Sequence, residues 1–140
     1  MNFNLYEFVR ADFACQVLTA LFLAILFLQS GLDKIFDWNG NLGWLKSHFA
    51  NSPLRNLVPF LLVVVTITEV AAGLLSAVGA VQLFYGKGAT LALYGAELSA
   101  LSIVMLFFGQ RVAKDYAGAA SLTGYFLVTI IAILLFKIPA

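Results

Sequence analysis

Four long apolar segments dominate this 140-residue chain and leave little sequence between them. They cover approximately residues 13–32, 57–84, 89–110 and 117–136. About 20 residues cross a hydrocarbon core of roughly 30 Å as a helix, so each segment is long enough to span a membrane. Backbone amides in lipid need internal partners, and such continuous segments fit helices better than the alternating strands of a barrel. The sequence therefore predicts an all-α, integral membrane four-helix bundle, with residues 1–140 forming a single domain.

Composition supports a bilayer environment. Hydrophobic residues make up 62% of the chain and charged residues 11%, whereas a soluble domain has about 45–50% and about 25%. A soluble protein of this size could not bury so much apolar surface. We expect the lipid bilayer to be its main surroundings. The net charge of +1, with no basic block, gives no indication of nucleic acid as a partner.

The first connection, residues 33–56, is the only long one. The turn signals Asn39-Gly40 and Ser52-Pro53 flank a stretch in which apolar residues recur at helical spacing. This stretch predicts a short helix on the membrane surface, with its basic and polar residues facing away. The apolar positions are Leu42, Leu45 and Phe49, with Trp44 beside them, and the polar positions are Lys46, Ser47 and His48.

The termini are expected on one side of the membrane, because the number of spans is even. Residues 1–12 contain acidic side chains and predict an interfacial lead-in rather than a cleaved signal. Three lysines and arginines lie near the terminal face and five near the opposite face. That count favours a cytoplasmic first loop and non-cytoplasmic termini.

Two glutamates, Glu69 and Glu97, fall within predicted spans. An ionised carboxylate near the bilayer centre costs several kcal/mol (about 2.5–3.5 on insertion scales), so such groups usually face protein or water. The helical rise offsets the two by about 10 Å along the helix axes, which argues against direct contact. Glu69 shares a face with Thr66, Gly73 and Ser76, and Glu97 shares a face with Thr90, Tyr94 and Leu101.

Two interpretations of these acids remain open. One is a ligand site or proton relay, for which the candidate residues are Glu69, Glu97, Thr66, Tyr94 and Tyr125. The other is a pair of protonated glutamates that hydrogen-bond across helices and hold the bundle together. Polar groups on the fourth span, including Tyr125, fit either interpretation.

The end of the first span combines acids, a base and aromatics. Gly31, Asp33, Lys34 and Trp38 are candidates for a partner or headgroup interface, or for a belt that anchors the helix end. Metal and haem sites are not expected, because His48 is the only histidine and Cys15 the only cysteine. No phosphate-binding loop or nucleophile triad is present, so catalytic residues remain unassigned.

The first predicted span ends in Gly31-Leu32-Asp33-Lys34, and the second contains Glu69 and Gly73, followed by Leu74-Leu75 and Gly79. With these motifs the chain resembles the DoxX family of four-helix membrane proteins. The four-span layout at this length agrees with it. An arginine that family members often carry in the first half of the first span has no counterpart here, where Gln16 and Thr19 stand nearby.

The resemblance implies a multi-pass protein of the bacterial cytoplasmic (inner) membrane that works beside a redox system. It implies partner subunits and, as a lipid-soluble ligand, a quinone, with no redox centre in the chain itself. Enzymatic activity is uncertain, and an accessory subunit of an oxidoreductase complex is favoured. The alternatives are a small proton-coupled carrier or channel using Glu69 and Glu97, and a purely structural subunit of a large respiratory or secretion assembly.

Overall fold

The structure is a computed structural model that describes residues 11–137 of the chain. Those residues contain helices and connecting turns but no strand, which confirms the all-α class. Of the predicted lead-in, residues 1–10 lie outside the described residues, and Ala11 and Asp12 already belong to the first helix. The helices are α1 Ala11–Phe36, α2 Trp38–His48, α3 Val58–Phe84, α4 Thr90–Val112, α5 Tyr116–Ser121 and α6 Thr123–Phe136.

Four helical segments are long and apolar enough to cross a membrane: α1, α3, α4, and α5 with α6. Only 22% to 33% of the most apolar part of each segment is buried within the chain. The remaining apolar surface needs lipid or another protein around it. The predicted membrane bundle with a short helix in the first loop is confirmed, and the chain is a multi-pass membrane protein.

The first helix is longer than its apolar segment. α1 continues to Phe36, so Asp33 and Lys34 lie in its last turns and not in a loop. Helical hydrogen bonding even runs on through Asp37, whose N–H donates to Asp33 O while Asn41 N–H donates to Asp37 O. The predicted turn at Asn39-Gly40 is therefore wrong, because both residues are helical in α2. A single glycine costs a helix only about 1 kcal/mol, and the continuing backbone bonds outweigh it.

The fourth span is interrupted, although its sequence predicts one continuous helix. α5 ends at Ser121 and α6 begins at Thr123. The hydroxyls of these two residues donate to the carbonyls of Gly118 and Ala120, three positions earlier, at 2.6 and 2.8 Å. Hydroxyls that bond back to preceding carbonyls bend helices, which accounts for the break between them.

Small residues bring the helices together. Gly73 on α3 lies against the backbone of α1, where an added Cβ would stand 2.7 Å from Leu28 N. Gly31 lies against Val70 in the same way, so the two glycines lock α1 and α3 in one antiparallel register. Gly79 makes an equally close approach to Ala92 on α4. Side chains as small as these permit backbone contact between membrane helices.

The bundle closes through the last helix. α3 packs between α1 and α4, and α6 packs against α4 and α1. The tight α3–α4 connection is turned by Gly86 and Gly88, both at positive φ, where glycine carries no steric penalty. At the terminal end, the buried Gln16 of α1 donates from Nε2 to Leu135 O at 2.9 Å. The core between the helices is formed by Ala20, Leu23, Phe27, Ala72, Ala96 and Ala132.

We predict that Gly73→Ala lowers the free energy of unfolding, because the new methyl group would strike the α1 backbone. Overpacking of this kind costs about 1–3 kcal/mol. Gly124→Ala is the matched control, since an added Cβ in α6 meets nothing within 4 Å. Equilibrium unfolding in mixed micelles measures both variants, and equal stability of the two would contradict the close α1–α3 contact.

Candidate functional site

An ion pair inside the bundle is the most distinctive polar feature of the structure. Lys34 Nζ on α1 lies 2.9 Å from Glu69 Oε1 on α3. Only 1% of the Glu69 side chain is exposed, against 16% for Lys34. Glu69 lies eleven positions after the start of α3, roughly 16 Å along its axis, and so sits well inside the span. The two charges satisfy each other where lipid could satisfy neither.

The register set by the two glycines places this pair. Gly31 precedes Lys34 by one turn, and Gly73 follows Glu69 by one turn. Side chains one turn apart share a helix face, so each charged residue projects from the same face as a glycine. Because the helices are antiparallel and touch at the glycines, the lysine of one helix meets the glutamate of the other.

The lysine also bonds within its own helix. Its Nζ donates to Ser30 Oγ at 2.9 Å and lies 3.4 Å from Ser30 O. These two bonds account for two of its three N–H donors. Glu69 Oε1 lies close to Nζ but outside hydrogen-bonding geometry, so we describe this contact as chiefly Coulombic. Thr66 is buried on the same face, but its hydroxyl donates to Leu62 O at 2.7 Å and not to Glu69.

A cavity of about 330 Å³ opens beside the lysine, between α2, the start of α3 and the end of α4. Most of its lining is apolar, and its polar groups are Lys34, Asn41 and Gln110. This composition matches small-molecule sites, which combine apolar walls with a few placed polar groups. The apolar lining comes chiefly from Trp44, Leu45, Phe49, Val58, Leu62 and Met105.

Helix α2 is held over this cavity by a polar contact with α4. His48 Nε2 lies 2.7 Å from Gln110 Oε1, and 3.5 Å from Asp115 Oδ2. The His48 ring also stacks on Trp44, with the ring centroids 4.6 Å apart. The sequence predicts His48 as a surface residue facing away from the apolar side of the helix, and that prediction is wrong. Asp115 in turn accepts from Gly118 N–H at 2.9 Å and so begins α5.

The remaining sequence candidates lie apart from this site. Glu97 is exposed on the outer surface of α4, and Tyr94, one turn before it, is also exposed. Tyr125 is exposed on α6. The structure therefore does not join Glu69 and Glu97 into one polar path within residues 11–137. Asp33 is exposed and Trp38 half-buried at the junction of α1 and α2.

Comparison with known proteins gives the family of the chain. The DoxX family profile matches residues 17–100, which is more than half of the sequence. The chain belongs to the DoxX family. No curated protein and no solved structure matched it.

The DoxX match covers both halves of the Lys34–Glu69 pair, whereas Gln110 lies beyond the matched residues. Within this DoxX protein, sequence reasoning identified the lysine and the glutamate separately but did not pair them. It also missed Gln110, Asn41 and the cavity they line. The distance between Lys34 and Glu69 in the sequence hides the pairing, and the available signal was that each lies one turn from a glycine.

We predict that Lys34→Met destabilises the DoxX bundle more than Glu69→Leu does. Removing the lysine leaves a fully buried carboxylate without a cation, while a freed lysine can turn toward solvent. Breaking a buried pair costs about 3–5 kcal/mol, but replacing both partners by apolar residues is often neutral. The double variant should therefore be more stable than Lys34→Met alone. Additive losses in a double-mutant cycle of unfolding free energies would show that the pair contributes no coupling.

Proposed function

We propose that this DoxX-family chain is an accessory membrane subunit that binds a quinone-like amphiphile beside a redox partner. The observation that carries the proposal is the cavity of about 330 Å³ with Lys34 among its lining residues. A carbonyl-bearing ring fits such a place, because it needs hydrogen-bond donors at one point and apolar contacts elsewhere.

Polar residues line the cavity from two different helices. Lys34 comes from α1 and Gln110 from α4. The contact of Gln110 Oε1 with His48 orients the amide, whose Nε2 lies beside Gly118 of α5. Asn41 donates from Nδ2 to Asp37 O at 2.9 Å, which leaves its side-chain oxygen to accept. The apolar walls of α3 and α4 suit a hydrocarbon tail that continues into the bilayer.

The ion pair gives this site a fixed positive end. Glu69 holds the Lys34 ammonium in place, since it is the only buried acidic side chain among residues 11–137. An ammonium at this point favours oxygen atoms that carry negative charge, including those of a reduced ring. In this proposal Lys34 binds and orients the ligand, and Glu69 acts on it through Lys34.

A partner has to supply the electrons. A bound quinone would contribute the capacity to accept two electrons and two protons. Within the described residues, no group of three histidine, cysteine or acidic side chains is placed to hold a metal ion. We therefore assign this chain a binding role in a redox complex of the bacterial cytoplasmic membrane. The three-to-five distribution of basic residues supports a cavity on the cytoplasmic side.

The alternative of a proton relay through Glu69 and Glu97 receives no support from the geometry. Glu69 points into the α1–α3 contact, whereas Glu97 points away from the bundle. A purely structural subunit differs from our proposal in one measurable property, which is saturable ligand binding.

We predict that a short-chain benzoquinone quenches Trp44 fluorescence saturably in lipid nanodiscs. Trp38→Phe leaves Trp44, which lines the cavity, as the only tryptophan, and Trp44→Phe leaves Trp38 as the matched control. A hydrogen bond from a charged donor contributes about 1.5–3 kcal/mol, so Lys34→Met should weaken binding by about tenfold or more.

A second variant, Leu106→Trp, fills the cavity and should abolish binding while leaving the ion pair intact. Its binding is measured with an added spin-labelled quinone. Leu106 lines the cavity from α4, whereas Lys34 lies on α1. If Trp44 and Trp38 are quenched identically and without saturation, the quinone has only dissolved in the lipid, and the proposal is wrong.

A further inference from the structure

Glu97 is a carboxyl group on the lipid-facing side of a membrane helix. It is exposed, and no residue within 11–137 gives it a hydrogen bond or an ion pair. On the same face of α4, exposed residues follow one another at alternating intervals of four and three residues, along nearly the whole helix. This Glu97 strip consists of Thr90, Tyr94, Glu97, Leu101, Val104 and Phe108.

The depth of Glu97 makes its exposure costly. It lies seven positions after the first residue of α4, roughly 10 Å along the axis. A glutamate side chain is too short to reach the headgroup region from there, unlike lysine or arginine. Polar groups at such depth face protein or water in membrane proteins. Glu97 therefore requires another protein segment to shield it from lipid, and residues 11–137 do not supply one.

The shape of the strip indicates what kind of cover fits. Spacings of four and three repeat every seven residues, which is the contact pattern of two helices that pack side by side. Apolar and aromatic side chains occupy most of its length, and the one acidic group lies among them. A transmembrane helix with a basic side chain at the matching depth would bury the apolar positions and neutralise the acid.

A second copy of this chain does not meet that requirement. In a symmetric dimer of parallel orientation, identical strips face each other, so Glu97 meets Glu97. Lys34 is already paired with Glu69, and every other lysine and arginine of residues 11–137 lies outside the four predicted spans. Charge complementarity therefore favours a chain of different sequence.

We propose that the Glu97 strip binds a transmembrane helix of a different protein, and that this helix carries a lysine or arginine at the depth of Glu97. The inference extends the subunit role proposed above by identifying the surface and the chemistry of its partner. It does not depend on the ligand, since the strip and the ion pair lie on different helices. Phe108 belongs to the strip and also lines the cavity, so the partner would lie beside the ligand site.

Site-specific photo-cross-linking in cells of the native host tests the inference on the full chain. A benzophenone side chain is placed at Leu101, on the strip, and at Leu127, an equally lipid-facing leucine on α6. We expect an adduct with one other protein from Leu101 and none from Leu127. Peptide mass spectrometry should locate the adduct in an apolar helix with a lysine or arginine within one turn of the cross-link.

Charge variants then test the pairing itself. Glu97→Leu should lower the yield of the adduct at least fivefold, and Glu97→Lys combined with glutamate at the partner's basic residue should restore it. An unchanged free energy of unfolding for Glu97→Leu in mixed micelles would show that the variant is folded, whether or not the chain binds a quinone. An adduct of two copies of this chain, adducts with lipid alone, a partner helix without a basic residue, or a yield unchanged by Glu97→Leu would each overturn the proposal.

Discussion

The contact between Lys34 and Glu69 depends on how closely two helix backbones approach. Glu69 is buried inside the bundle, and Lys34 reaches it because α1 and α3 touch at Gly31 and Gly73. The glycines thus set both the distance between the two helices and their register, and the charged side chains meet as a consequence. A one-residue slip between the helices would turn the lysine away from the glutamate and leave Glu69 buried without its partner.

The cavity is a consequence of that register. Since Lys34 lies near the end of α1 but pairs well inside α3, the first part of α3 extends beyond α1. Helix α2 occupies this space and is tied to α4 by His48 and Gln110. Its apolar side chains do not fill the space completely, and the gap that remains is the cavity beside Lys34. The ion pair therefore both supports the wall of the cavity and supplies its charge.

The fold follows from the sequence more readily than the site does. Long apolar segments determine four spans almost without ambiguity, because the bilayer permits few alternatives. The length of the apolar segment predicts that the first span ends at residue 32, because hydropathy falls at Asp33. The helix itself continues, since backbone hydrogen bonds do not depend on side-chain polarity. The break at Leu122 was hidden because it depends on hydroxyl rotamers and not on composition. Periodicity also could not separate the inner face of α4 from the outer one, since both are largely apolar.

The two intramembrane glutamates consequently have different surroundings. Glu69 finds its cation within the chain and so stabilises the fold, whereas Glu97 faces outward and is available for assembly. Helix α4 connects the two regions, because Gln110 and Phe108 lie at the cavity while the rest of the Glu97 strip runs away from it. A redox partner docked on the strip would cover Phe108 and meet a ligand held by Lys34. In the function proposed above, a partner bound on the strip would thereby reach a lipid-soluble electron acceptor held in the cavity of this chain.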